Sequence, residues 1–367
     1  MVSAGFWPAV GGAERQALEL SRELRARGVG VRVLTRLVGC TTAREEVEGV
    51  AVRRLPVLGA GAADSLSFLI GALGWLLKHD AEYDAIHAHL AGSPALAAAL
   101  AGRILGKPVL VKLGGGRGIG ELAVSSRSAL GRLKLRLLVL LRPRFLAVVP
   151  DLADEARQHL GADIDLEVLP NGVDLNRFKP VSADEKKRLR EGFGWSGTVF
   201  LYTGRLSWEK RLPWFAELWD EATRGRDASL ILVGDGPEKA ALESQLSGRV
   251  RILPPTDDTA PLYAAADAFI LPSVSEGLSN SLLEAMASGL TVVASAVGGT
   301  AQAVENGKTG WLFGKDDGKE AASLIRRALD NPEDAARLGV AARAACERRY
   351  ALSRVAARLI ELYGGRS

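Results

Sequence analysis

Cysteine is nearly missing from this chain of 367 residues: Cys40 and Cys346 are the only two. They lie far apart in unlike settings, which gives neither a metal-ligand spacing nor a disulfide framework. A reducing cytoplasm is therefore the expected compartment. No apolar run is long enough to cross a bilayer, because the longest, residues 133–149, is broken by Lys134, Arg136, Arg142 and Arg144. The first ten residues lack the basic start and apolar core of a secretory leader. They also leave little room for a complete first strand, so the chain is expected to begin slightly late. Net charge is small, +4 at pH 7, and offers no argument for nucleic acid as a partner.

Hydrophobic residues make up 47% and charged residues 25% of the chain, enough apolar surface for two cores and too much for a disordered chain. Length points the same way, since single cores rarely exceed roughly 250 residues. Short β-rich runs alternate with helical patterns. Strands are predicted at 29–35, 84–88, 109–113 and 145–149. A helix over 13–27 places Ala17, Leu20 and Leu24 on one face and ends at Gly28. Another starts at Ser93-Pro94. The rhythm restarts after Asn171, with strands at 198–203, 229–233, 250–253, 268–271 and 291–295 and helices at 210–222, 237–246 and 279–287. The pattern implies an α/β protein of two doubly wound, Rossmann-like domains with parallel sheets, facing each other across a cleft. The first is expected over 1–170 and the second over 171–350. The last helix, 351–363, is expected to return to the first domain.

Ligands of such sheets bind at the carboxyl ends of strands, so the loops there carry the chemistry. Gly11-Gly12 opens a helix whose N-terminus can face a phosphate, though a plain tight turn is equally consistent. His87 and His89 end a strand and share a face; His89 is the better ligand contact, and His87 reads as structural. Gly114 to Gly118, with Arg117 among them, can present N–H groups and a guanidinium to an anion, or simply move freely. Gly115, Gly116 and Arg117 are the acceptor-side candidates. Between 102 and 144 stand ten Lys or Arg and a single acid, Glu121. Within that stretch, leucine and arginine alternate at helical spacing over 127–144. This is either a packed helix with a solvated face or a face for an anionic membrane or acceptor.

Arg205 and Lys210 follow a strand and can converge on one anion, stabilising a diphosphate leaving group without a metal. Ion pairing with Glu209 or Glu217 is the plainer reading. Gly234-Asp235-Gly236-Pro237 repeats the strand–glycine–helix pattern. The sharpest segment runs from Ser275 to Ala285. There Glu276 lies in a loop, and Glu284 lies eight residues later, two turns into a helix. The N–H groups of Leu278 and Ser279 can hold a phosphate, with Glu276 on sugar hydroxyls and Glu284 on ribose. Two carboxylates also suit hydrolysis, but this pair is linked around a phosphate seat and does not flank an open cleft. Asp163-Ile164-Asp165 reads as solvated charge, and no metal is expected.

These residues, in this order, resemble a retaining family 4 glycosyltransferase of the GT-B fold over nearly the whole chain. The motifs are Gly11-Gly12-Ala13-Glu14, His89, Asn171-Gly172-Val173-Asp174, Gly204-Arg205-Leu206 with Glu209-Lys210, Gly234 to Pro237, Glu276 with Glu284, and Gly298-Gly299 before Asn306 to Gly310. The resemblance implies a hexosyltransferase-type enzyme with a nucleotide-diphosphate sugar as donor, no cofactor and no metal. His89, Arg205, Lys210 and Glu276 would form the catalytic set. Donor contacts would come from Gly11, Gly12, Arg205, Lys210, Gly234, Arg251, Leu253, Glu276, Gly277, Leu278, Ser279, Asn280, Leu283 and Glu284. Retention by a front-face route is the family's habit, and a glycan or lipid-linked acceptor in bacterial surface polysaccharide or glycolipid synthesis is the expected setting. The chain departs from the pattern at Thr291, where proline is common, and at Gln302, where glutamate is common. The rivals are a nucleotide-sugar epimerase and a catalytically silent partner that binds membranes or another transferase. An oxidoreductase lacks its G-x-G-x-x-G with an acidic ribose residue.

Overall fold

The computed structural model describes residues 1–8, 11–39, 41–116, 118–244 and 249–364, and the backbone of residue 245. It divides into two compact units, Met1–Gly172 with Leu352–Ser367, and Val173–Ala351.

In the first unit the chain runs α1 (Gly12–Ala26), β1 (Arg32–Arg36), β2 (Arg44–Val47), β3 (Val50–Leu55), α2 (Ala62–Lys78), β4 (Ile86–His89), α3 (Ser93–Leu105), β5 (Val109–Lys112), α4 (Glu121–Ser126), α5 (Ala129–Leu141), β6 (Arg144–Ala147), α6 (Pro150–Leu160) and β7 (Leu166–Val168). Strands β4, β5, β6 and β7 pair in that order, all parallel. Strand β1 pairs with β3 in parallel, but β2 pairs with β3 antiparallel. The expectation of a purely parallel sheet therefore fails at this edge. Glu48-Gly49 closes a hairpin there with both residues at positive φ, and Gly tolerates that backbone without strain.

The first strand is reduced to a bridge. Val2 donates to the His87 carbonyl at 2.8 Å, and His89 donates back to the Val2 carbonyl at 2.9 Å. On its other side Ser3 donates to Leu34 at 3.0 Å. Two or three residues thus join β1 to β4, so the sheet continues through them.

The second unit contains α7 (Ala183–Phe193), β8 (Thr198–Thr203), α8 (Leu212–Ala222), β9 (Ala228–Val233), α9 (Lys239–Gln245), β10 (Val250–Leu253), α10 (Ala260–Ala265), β11 (Ala268–Leu271), α11 (Asn280–Ala287), β12 (Thr291–Ser295), α12 (Gly298–Ala303), β13 (Trp311–Phe313), α13 (Gly318–Asp330) and α14 (Pro332–Arg349). Its strands lie in the order β10-β9-β8-β11-β12-β13, all parallel. Both β11 and β12 are buried along their whole length, the mark of a sheet covered on both faces. Chain order reverses between β8 and β11. Where a crevice opens at such a reversal, ligands bind outside the strand ends.

Thr291, where the family pattern often has proline, donates its hydroxyl to the Ala335 carbonyl of α14 at 2.5 Å. Arg343, also on α14, donates to the carbonyls of Leu175, Phe178 and Ala287. One guanidinium thereby ties the start of the unit to the end of α11.

The chain then ends in α15 (Leu352–Tyr363), which lies in the first unit. Leu352, Val355, Ala356, Leu359 and Leu362 pack with Leu20 and Leu24 of α1 and with Leu110 and Leu146 of the sheet. Among the described residues no helix is long and apolar enough to cross a membrane. Leu359 is fully buried in this cluster, so Leu359→Ala should lower the stability of the first unit by about 2–5 kcal/mol, the cost of a cavity that cannot collapse. Urea unfolding checks this, and a change below about 1 kcal/mol would mean that α15 is not part of the core.

Candidate functional site

At the end of β8 the buried Tyr202 donates its hydroxyl to the Arg205 carbonyl at 2.8 Å, which shapes the loop that follows. Gly204 donates to Val233 at 3.0 Å, and Leu206 donates to Asp235 at 2.9 Å. The loops after β8 and β9 therefore run side by side. Gly234 lies so close to the Gly204 carbonyl that any Cβ would overlap it. This close approach explains glycine there without recourse to a ligand. Gly234 in turn donates to Leu253 at 3.1 Å, placing the end of β10 in the same row. Arg205 and Arg251 are exposed, and Leu253 is half-buried.

The loop after β11 comes to the same place. Val274 donates to the Glu209 carbonyl at 2.8 Å, and Lys210 Nζ meets Glu276 Oε1 at 2.5 Å. The same carboxylate oxygen accepts the Ser273 hydroxyl at 2.7 Å. Glu276 is buried, and a cation and a hydroxyl satisfy its carboxylate oxygen there. Of the two glutamates that might have taken Lys210, Glu209 is occupied by the Ser207 hydroxyl at 2.5 Å. The Lys210 partner is thus the distant Glu276.

Glu276 and Gly277 also present their carbonyls to Gly298 and Gly299. A side chain at Gly299 would overlap the Gly277 oxygen, and Gly299 N–H donates to the Glu276 carbonyl at 3.3 Å. Helix α11 begins just beyond, with Ser279 as N-cap accepting from Leu282 N–H at 3.3 Å. Leu278, Leu283 and Glu284 are buried, and Asn280 sits at the first turn. Burial first, then the charges of Glu276 and Glu209, push the Tyr202 hydroxyl far above its ordinary pKa, so it acts only as a hydrogen-bond donor to the loop. Arg205, Lys210, Glu276, Gly277 and the start of α11 thus lie at the β8/β11 reversal, with Gly234 and Leu253 following along the row of strand ends after β9 and β10.

The first unit places its candidates at the carboxyl ends of β4 and β5. His87 and His89 stack, with ring centroids 4.7 Å apart. His87 Nδ1 is bonded to the Tyr363 hydroxyl of α15 at 2.7 Å, a structural role. Among the described residues Nε2 of buried His89 has no hydrogen-bond partner. Burial, with Lys112 nearby, lowers the His89 pKa well below its ordinary value, so the ring is neutral at physiological pH.

Lys112, not singled out from the sequence, stands beside His89 in the strand register, and burial brings its ammonium down to about 7. A strand-end lysine in a basic stretch resembles any other surface cation until its neighbour is known. Gly11 is the N-cap of α1, and the Glu14 carboxylate lies against Gly11 and Gly5. Gly12 follows as the first helical residue. A carboxylate of the chain itself therefore occupies the end of this helix, where the macrodipole favours it.

The glycine loop after β5 differs from expectation. Gly114 N–H donates to Glu121 Oε1 at 3.1 Å, and Gly118 N–H donates to Glu155 Oε1 at 3.0 Å. Two of the N–H groups meant for an anion are satisfied by carboxylates of the chain itself. Glu121 Oε2 also accepts from Ala91 at 2.7 Å, so one side chain fastens the loop after β4 to the loop after β5. Gly115 and Gly116 lie within the loop so fastened, and Arg117 falls outside the described residues. Asp165 pairs with Arg144 at 3.0 Å, and among the described residues no cluster of three His, Cys, Asp or Glu is placed to hold a metal.

Comparison with known proteins fits this geometry. Residues 10–177 match the family model described as Glycosyltransferase Family 4, and residues 197–331 match that of Glycosyl transferases group 1. The D-inositol 3-phosphate glycosyltransferase of Frankia alni is 34% identical over 373 residues, covering 90% of this chain and 89% of that protein. The chain belongs to glycosyltransferase family 4. Sulfoquinovosyl transferase SQD2 of Arabidopsis thaliana is 33% identical over 190 residues, which is 50% of this chain and only 37% of that relative. Among solved structures, Anabaena HepE in complex with UDP-glucose superposes with a TM-score of 0.81 at 22% identity, covering 100% of this chain and 99% of that one. The family 4 chain therefore has the GT-B fold of a glycosyltransferase.

Burial pushes the Glu121 carboxyl up to about 8 from its ordinary 4.5, against the pull of the Gly114 and Ala91 N–H groups. Between those values the folded chain holds a proton that the unfolded chain releases. Glu121 therefore makes the first unit less stable as pH rises across this window. Glu121→Gln should remove that component. Denaturant unfolding of both proteins across the window checks it, and identical pH slopes would contradict it.

Proposed function

We propose that this family 4 enzyme transfers a hexose from a nucleotide-diphosphate sugar to a glycan or lipid-linked acceptor, with retention of anomeric configuration. The observation that carries this reading is the Lys210–Glu276 pair, 2.5 Å apart at the β8/β11 reversal. Lys210 and the exposed Arg205 meet the diphosphate, whose charge grows as the bond to the sugar breaks. Fixed cations lower that barrier without reorganising. Glu276 binds sugar hydroxyls, and Glu284 binds the ribose. Engagement of one Glu276 oxygen by both Lys210 and Ser273 suits a carboxylate that orients a sugar better than one that attacks its anomeric carbon. That favours a front-face route in which the acceptor enters on the side the diphosphate leaves.

The resemblance to HepE, solved with UDP-glucose, supports a nucleotide-sugar donor. His89, neutral and buried, is a hydrogen-bonding group beside the sugar, and no metal takes part. Surface polysaccharide or glycolipid synthesis in the cytoplasm, with the enzyme resting on an anionic membrane face, completes the proposal.

The donor reading is tested by a thermal-shift panel of UDP, GDP, ADP and dTDP with their sugar conjugates. A ligand of the native state at 100 times its Kd stabilises by about 2.7 kcal/mol, so one nucleotide should raise the melting temperature by several degrees. No shift with any of them at millimolar concentration would remove the donor site and favour a silent partner. With the donor known, Lys210→Ala and Glu276→Ala should each cut kcat by roughly 100- to 1,000-fold while the fold stays intact by circular dichroism. Parallel loss of folding and activity would assign both residues to structure alone.

A further inference from the structure

Helix α5 has two apolar faces. Gly131, Leu135 and Leu138 are buried, and Gly131 lies so tightly against the Ser125 carbonyl that a side chain there would overlap it. This face seats α5 on the rest of the first unit. On the opposite side Leu130, Leu133, Leu137 and Leu140 are 68%, 53%, 39% and 74% exposed. At 3.6 residues per turn these four fall within an arc of about 80°. Arg132 and Arg136 lie along one edge of that arc and Lys134 along the other. The helix carries no acid at all.

Among the described residues none of Arg132, Lys134 and Arg136 forms an ion pair, although Lys134 lies near enough to Glu121 to pull its carboxyl down. Arg132 donates to the Ser126 carbonyl, and Arg127 donates to the Gly118 carbonyl. The one acid of the region, Glu121, is turned inward onto Ala91 and Gly114. The neighbouring α3 and α4 add exposed Ile104 and Val124 together with Arg103 and Arg127.

A solvated helix face has no use for four exposed leucines in line. A stripe made to receive another apolar protein surface needs no cations on both of its edges. A leucine stripe bordered by cations matches an anionic bilayer: the leucines reach the acyl boundary, and the cations meet lipid phosphates. We propose that α5 is the element through which this protein lies on an anionic lipid surface, with Leu130, Leu133, Leu137 and Leu140 inserted and Arg132, Lys134 and Arg136 at headgroup level. This gives the membrane part of the reading above a specific face. It can be tested without turnover.

The experiment is flotation of the full chain with vesicles of phosphatidylcholine mixed with phosphatidylglycerol, against pure phosphatidylcholine. Each is run at about 0.1 M and about 0.5 M salt, since screening shortens electrostatic reach. Binding is expected to the anionic vesicles only, and to weaken with salt. Arg132→Gln/Lys134→Gln/Arg136→Gln should reduce partitioning on the order of 100-fold, as each cation near an anionic leaflet contributes about fivefold. Leu133→Ser/Leu140→Ser should reduce it at least about 10-fold. The altered residues are exposed or, at Lys134, half-buried, so circular dichroism and the nucleotide thermal shift should match the parent. That shift also separates this proposal from the donor reading, because either can fail alone. Absence of binding to anionic vesicles, or binding unchanged in the charge variant, would overturn the proposal. So would a concentration-dependent dimer abolished by Leu133→Ser/Leu140→Ser, which would assign the stripe to a second copy of the chain.

Discussion

Everything proposed for the second unit depends on one ion pair. Lys210 and Glu276 are 66 residues apart in sequence, on loops that leave neighbouring strands at the point where chain order reverses. Glu276 is buried and Lys210 half-buried, and each is the other's charged partner. Each therefore holds the other's loop in place, and the Val274–Glu209 backbone bond fixes the register between them. The glycines around the pair are a consequence. Loops brought this close leave no room for side chains at Gly234, where the Gly204 carbonyl sits, or at Gly299, where the Gly277 carbonyl sits. The glycine-rich signature of the site is thus in large part a packing requirement of backbone against backbone.

The first unit is organised differently. Its polar groups at the strand ends are fastened by the chain's own carboxyl groups: Glu121 on Ala91 and Gly114, Glu155 on Gly118, and Glu14 against Gly11. These staples set the loops that the proposal assigns to the acceptor side, while the β4–β5 register sets His89 beside Lys112. Burial keeps both His89 and Lys112 low in pKa, so the corner is less cationic than its composition suggests. Positive charge is expressed instead on the outer face of α5, where it borders exposed leucine.

Much of this was legible in the sequence. The second unit's strands read clearly because most are short, largely apolar runs ended by glycine or proline, as in Thr198 to Thr203 before Gly204 or Ala268 to Leu271 before Pro272. The family resemblance rested on the ordered set of motifs from Gly11-Gly12 to Asn306–Gly310, in which the Glu276–Glu284 spacing and the cations at 205 and 210 were the sharpest part. What the sequence hid depends on partners remote in the chain. The hairpin of β2 and β3 escaped because Arg44 to Val47 is nearly all charge, and its pairing is set by β3. Helix α2 carries Gly71 and Gly74 in its middle, which weakens any helical pattern. The short β13, Trp311 to Phe313, gains its identity only by pairing with β12. Ser273, Lys112 and Glu155 carry no motif. They matter because the fold brings them to Glu276, His89 and the glycine loop.

The location of the donor site is the central claim, and hydrogen exchange tests it directly. Amide exchange would be measured on the full chain with and without a nucleoside diphosphate at saturating concentration. The account predicts protection concentrated at residues 204–211 and 273–284, with the loop at 234–236 following. Protection confined to other segments, with these loops exchanging as before, would contradict the assignment of Lys210 and Glu276 to the donor.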